Sequence, residues 1–176
     1  MKRLGEGALG GRLNSASLLS MVSGAIAVAS LIVGSYQAAP PYVVGENLVL
    51  TEIEVLPGLY MKPITLFTYA FFVAFAAGLY TPNTRRRARA LPPNVRALVY
   101  LFVWFLALAS GFEIVYHMVL WSAALAFQGL KNPDIIINPW PKNYPINVVF
   151  STKLVVLIFA CSLFTIDYLK RVEREA

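Results

Sequence analysis

The sequence predicts an all-α membrane protein: a four-transmembrane-helix bundle with both termini in the cytoplasm and a small β-hairpin-like cap outside the membrane. Its composition supports this class, because 58% of the 176 residues are hydrophobic and only 14% are charged, unlike ordinary soluble domains. Four stretches also reach the ~20 mostly apolar residues that a bilayer crossing needs. The positions of the basic residues then fix the predicted orientation.

The four apolar stretches leave no room for a separate soluble domain, so residues 1–176 are predicted to form a single membrane domain. The predicted spans are residues 17–38, 62–81, 97–128 and 146–169, joined by an outer loop at 39–61, an arginine-rich inner loop at 82–96 and an outer loop at 129–145, with an inner tail at 170–176. The first stretch resembles a signal peptide, but the long region before it favours a retained span.

Most basic residues lie in the segments that share one side of the predicted membrane. Eleven of the 15 lysines and arginines lie before the first span, in the second connection or in the tail. By the positive-inside rule, both termini of this cell-membrane protein are predicted to be cytoplasmic. We expect four arginines of the inner loop to face anionic lipid rather than nucleic acid: Arg85, Arg86, Arg87 and Arg89.

Small residues recur along the first and second spans. They lie at Ser20, Gly24, Ala27, Ser30 and Gly34 of the first span, and at Ala70, Ala74 and Gly78 of the second. Helix association in lipid depends on close backbone approach. We therefore expect each stripe to face another helix.

The first outer connection has the pattern of a short β-hairpin. Polar and apolar residues alternate over residues 51–55, and Pro57 and Gly58 form a turn signal before Leu59, which is typical of paired strands. The β-branched residues 135–137 of the second outer connection could add a third strand. Both connections would then form the cap.

The third span carries the sharpest chemical feature, because Glu113 and His117 lie one helical turn apart in an apolar stretch. Inserting a carboxylate at the centre of a membrane helix costs about 2.5 to 3.5 kcal/mol on insertion scales, so such a residue normally has a partner group or a functional role. This span is also the longest, at ~48 Å for 32 residues of helix. Its outer end is expected to project above the bilayer.

Counting from the predicted inner ends of the third and fourth spans places Glu113 and Lys153 at the same depth, ~25 Å from that boundary. An intramembrane polar cluster is therefore predicted, with Ser110 at its inner edge. Its members are Glu113, His117, Lys153, Tyr116, Thr65 and Tyr69.

Three interpretations of the cluster stay open. The first is structural, in which Glu113 and Lys153 form an interhelical ion pair that neutralises both charges. The second is a proton relay or ion site built on Glu113 and His117. The third is a quinone or haem contact at His117 and Tyr116, or a histidine and methionine haem pair with Met61 or Met118. A metal site is not expected, because a structural site needs about four ligands and the chain has one histidine and one cysteine.

Sequence signatures of enzymes are missing. There is no phosphate-binding glycine loop, no Gly-x-Ser-x-Gly and no His-Glu-x-x-His, so an enzyme is the less favoured class. The favoured hypothesis is a non-catalytic accessory or scaffold subunit of a larger membrane complex that couples energy or transfers electrons. Its expected partners are lipid and either other membrane subunits or further copies of itself, and no cofactor is predicted. The alternatives are a small transporter or proton-handling protein and a quinone- or haem-contacting subunit.

Overall fold

The fold was analysed in a computed structural model, which describes residues 14–36, 47–131 and 146–175. The chain is mostly helical. Its helices are α1 (Ser15–Tyr36), α2 (Asn47–Leu50), α3 (Pro63–Leu79), α4 (Pro82–Ala90), α5 (Pro93–Lys131) and α6 (Ile146–Arg174), with strands β1 (Ile53–Leu56) and β2 (Leu59–Met61) between α2 and α3. The third strand predicted near residues 135–137 lies outside the described residues.

Three helices are long and apolar enough to cross a membrane, over Ser15–Ser35, Pro93–Ala123 and Phe150–Arg174. The 17-residue helix α3 makes a fourth candidate span together with α4, from which it is bent by 61°. The break between α3 and α4 follows from local sequence. Thr81 caps α4 by accepting a hydrogen bond from the Thr84 backbone N–H, and Pro82 occupies the first turn, where its missing N–H costs nothing.

The long helices form a row rather than a closed bundle. Helix α1 packs on α3, α3 on α6, and α6 on α5, whereas α1 and α5 share no extensive interface within the described residues. The prediction of a four-helix bundle is therefore corrected in the arrangement of the helices, which lie in a row. Apolar residues surround these helices on all sides, so hydropathy predicted the spans but not their lateral order.

The predicted small-residue stripes do face each other across α1 and α3. The Ser20 hydroxyl donates a 2.9 Å hydrogen bond to the Ala74 carbonyl, and a Cβ added at Gly24 would lie 4.0 Å from that of Ala74. Ser23, Ala27, Ser30, Ala70 and Ala77 are buried. The prediction that each stripe faces a helix is confirmed.

The predicted hairpin is confirmed as two antiparallel strands that pair Ile53 with Met61 and Glu54 with Tyr60. Gly58 adopts a positive φ of 79° in the turn, a conformation that favours glycine. Helix α2 precedes the hairpin in the chain, and its buried Leu48 and Val49 pack with Ile64 at the start of α3. We call this end of the row the hairpin end.

The opposite end carries most of the described basic residues and is called the basic end. Here Ala88 of α4 packs with Tyr168, Leu169 and Val172 of α6. Helix α5 begins at the same end, because its Tyr100 packs against this cluster. The arginines of the predicted inner loop therefore lie largely on a helix, which corrects the expectation of a loop.

Candidate functional site

The candidate site lies toward the hairpin end, where α6 contacts α5 on one side and α3 on the other. Helices α5 and α6 run antiparallel. His117 contacts Thr152, while a Cβ added at Gly111 would lie 3.3 Å from the ring of Phe159. These two contacts fix the register of α6 against α5.

His117 connects two polar groups through its two ring nitrogens. Its Nδ1 lies 2.9 Å from Thr152 Oγ1, and its Nε2 lies 4.0 Å from Glu113 Oε2. The histidine side chain is only 13% exposed, whereas that of Glu113 is 50% exposed. When the Thr152 hydroxyl donates to Nδ1, the imidazole proton is on Nε2, toward the Glu113 carboxylate.

The predicted ion pair between Glu113 and Lys153 does not form. In the register above, Glu113 is level with the region of Val156, and Lys153 is about one turn closer to the hairpin end. The depth count failed because its two starting points are not level: in this register Ala97 of α5 lies opposite the region of Val172 of α6 and not opposite Lys170. The resulting separation of three residues corresponds to ~4.5 Å along a helix.

Lys153 instead contacts α3, where its ammonium donates a hydrogen bond to Thr65 Oγ1. Successive residues of a helix point about 100° apart. Thr152 therefore contacts α5 while Lys153 contacts α3, so one turn of α6 supplies polar contacts to both neighbouring helices.

The structure brings the six predicted residues together only in part. Glu113 lies near His117 and Lys153 contacts Thr65, but these are two separate pairs. Tyr116 is 50% exposed, with its ring centroid 6.3 Å from that of His117. Tyr69 is 61% exposed and lies one helical turn after Thr65 on α3.

Thr152 is the site residue that sequence reasoning missed. Its signal was the polar run of Ser151, Thr152 and Lys153 in an otherwise apolar stretch, of which only the charged member was singled out.

The polar contacts do not continue as a chain toward the basic end in the described part of the protein. Ser110 donates to the Leu106 carbonyl of its own helix at 2.5 Å. Thr165 likewise donates to the Cys161 carbonyl at 2.7 Å. These hydroxyls are satisfied within their own helices and join neither pair.

The described residues contain no group of three or more histidine, cysteine, aspartate or glutamate side chains that could hold a metal ion. Of the methionines considered as haem ligands, Met118 is 65% exposed. Its backbone carbonyl accepts a hydrogen bond from the Ser122 hydroxyl, one helical turn further along α5. These contacts offer no specific support for a cofactor.

At the basic end, the four arginines that were predicted to face anionic lipid divide into two pairs. Arg85 and Arg89 both form ion pairs with Glu175, the latter at 2.6 Å, and Arg86 and Arg87 are exposed. Hydrogen bonds from Arg85 and Arg89 hold the pKa of the Glu175 carboxyl below its ordinary value. Helix α4 is thereby tied to the end of α6.

Comparisons of the chain with protein-family models, curated proteins and solved structures gave no match. The three to four candidate spans define a multi-pass helical membrane protein.

Proposed function

We propose that the chain is a non-catalytic accessory or scaffold subunit of a larger membrane assembly, with both termini cytoplasmic and the hairpin end outside. The observation that carries this proposal is the position of Glu113. Its carboxylate is half exposed on the surface of α5, in a helix whose sequence is suited to lipid. Exposure to hydrocarbon would cost several kcal/mol, so a polar group of another chain is the favoured neighbour.

The surroundings of Glu113 support a helix-binding surface. Phe112 and Val115 are 71% and 59% exposed, and α5 has an extensive interface with α6 alone among the described helices. A row of helices leaves such a surface uncovered, whereas a closed bundle would bury part of it. The expected partner is a membrane helix that presents a hydrogen-bond donor or a cation at the depth of Glu113.

Photocrosslinking can test this assembly role. A photoreactive residue placed at Phe112 is expected to give a discrete protein adduct in native membranes, either with another subunit or with a second copy. The Glu113→Gln variant should lose that adduct. The matched variant Glu52→Gln, which changes a carboxylate at the hairpin end, should keep it. A Phe112 probe that labels only lipid, or an adduct unchanged by Glu113→Gln, would contradict the proposal.

One observation favours a second candidate function, a small transporter or proton-handling protein. His117 lies between Glu113 and Thr152, and a histidine between two polar groups can exchange a proton with each in turn. Purified chain in liposomes provides the test. Proton flux that disappears in Glu113→Gln, with the protein still folded, would favour this function over assembly.

A further inference from the structure

A groove at the basic end separates the first turns of α5 from the last turns of α6. Its cavity has a volume of about 390 Å³ and is lined by Pro93, Arg96, Ala97, Tyr100, Leu169, Lys170 and Glu173. Cavities that bind small molecules start at about 300 Å³. The groove is therefore large enough for a small polar headgroup.

The walls of the groove combine two cations and one carboxylate. Arg96 projects from α5, and Lys170 and Glu173 project from consecutive turns of α6. Neither Lys170 nor Glu173 forms an ion pair with another described residue. These charges leave a net excess of one positive charge, which matches the single negative charge of a phosphodiester.

Arg96 is held in place at the edge of this groove. Its Nη2 donates to the carbonyls of Arg89 at 3.2 Å and Leu91 at 3.4 Å. Its Nε is buried and has no hydrogen-bond partner among the described residues. The Nη2 hydrogen bonds fix the guanidinium against the backbone that joins α4 to α5.

The groove also lies where a lipid headgroup would be. Arg96 and Lys170 stand at the ends of two apolar spans, and Tyr100 adds the amphipathic ring that is typical of the membrane interface. Further along α5, Trp104 is in edge contact with Tyr100 at 6.4 Å between ring centroids. It offers an apolar surface for an acyl chain.

We infer that this groove is a binding site for one glycerophospholipid. The phosphodiester pairs with Arg96 and Lys170, and Glu173 accepts a hydrogen bond from the distal part of the headgroup. This arrangement selects headgroups that end in an N–H or O–H donor. Phosphatidylcholine lacks such a donor, and phosphomonoester headgroups bring a second negative charge toward Glu173. The inference goes beyond the proposed assembly role and does not depend on Glu113.

Native mass spectrometry of the full chain in nonionic detergent tests this site. The probes are short-chain phosphatidylethanolamine, phosphatidylglycerol and phosphatidylcholine, titrated separately, with inorganic phosphate as a competitor. One equivalent of the first two lipids is expected to bind more tightly than phosphatidylcholine. Tight binding of phosphatidylcholine, or displacement of the lipid by millimolar phosphate, would overturn the assignment.

Variants of the groove residues test whether the lipid binds in the groove. Lys170→Gln, at an exposed position, should weaken the bound lipid about fivefold, as expected for one basic residue near a headgroup. Arg96→Gln should weaken it at least as much, while Arg86→Gln, which removes an exposed arginine of α4, should not. Glu173→Gln should abolish the preference over phosphatidylcholine. Unchanged affinity in Lys170→Gln would exclude the site even if Arg96→Gln proved unstable.

Discussion

His117 Nδ1 and Thr152 Oγ1 lie 2.9 Å apart and join α5 to α6. Interhelical hydrogen bonds of this kind contribute about 0.6 kcal/mol on average in membrane proteins. A double-mutant cycle of His117→Ala and Thr152→Val should therefore give a coupling free energy of about 0.5 to 1.5 kcal/mol, measured by unfolding in detergent.

Ser122 provides the control for that cycle, because its hydroxyl donates to the Met118 carbonyl within α5. Ser122→Ala combined with Thr152→Val should be additive. Coupling as strong as that between His117 and Thr152 would show that the cycle reports general loosening of α5 instead of the interhelical bond.

Glu113 and Lys153 should be energetically independent. They contact different partners, His117 for the first and Thr65 for the second, so the effects of Glu113→Gln and Lys153→Met on the free energy of unfolding should add within about 0.5 kcal/mol. By contrast, Lys153→Met and Thr65→Val should be coupled. A coupling between Glu113 and Lys153 above 1 kcal/mol, roughly the size expected for neighbouring groups, would restore the ion pair that the sequence suggested.

Gly34 should tolerate a side chain far less well than Gly24. A Cβ at Gly34 would lie 3.0 Å from that of Pro63 and closer still to Leu48, whereas at Gly24 the nearest neighbour is 4.0 Å away. Gly34→Ala is therefore expected to destabilise the protein by about 1 to 3 kcal/mol through overpacking.

The matched variant Gly24→Ala should be neutral or slightly stabilising, because alanine restricts the unfolded chain. Thermal unfolding of both variants in the same detergent makes the comparison. Equal melting temperatures would mean that α1 does not approach α2 and α3 closely at Gly34.

The contact between α4 and the end of α6 should respond to acid. The pKa of Glu175 is lowered in the folded protein, so its ion pairs with Arg85 and Arg89 contribute stability above the ordinary carboxyl pKa. That contribution is lost as the pH falls through the lowered value. A distance between spin labels at Arg86 and Arg174 should thus stay constant near neutral pH and broaden only in strong acid.

Glu175→Gln should broaden this distance already at neutral pH, whereas Glu173→Gln should leave it unchanged. The effect is expected to weaken in high salt, since all three side chains are partly exposed and screened. A distance that does not change in either variant would show that other contacts, such as those around Ala88, hold α4 alone.

Hydropathy and turn chemistry were enough to predict the long helices, the hairpin at Gly58 and the packing of the small-residue stripes. These features depend on local composition or on residues a few positions apart. Helix α4 was also within reach, because Thr81 followed by Pro82 is a helix-start signal, but the arginine cluster was interpreted as a loop.

The candidate site was harder to predict because it depends on how helices are aligned and ordered. A depth counted from a helix end carries any error in the position of that end. In the structure, Lys153 lies three residues nearer the hairpin end than Glu113. The partner of Lys153 also depends on α6 lying between α3 and α5. A helix that is apolar on all sides does not reveal which neighbour it will contact.

The position of α6 in the row has a consequence for biosynthesis. This helix is made last among the described elements, yet it joins α3 on one side and α5 on the other. Until α6 is made, the pair of α1 and α3 and the helix α5 lack the contacts that α6 provides, and Thr65 and His117 are not yet bonded to it. A quality-control protease that recognises polar groups left open to lipid would therefore act most readily on chains in which α6 has not yet inserted.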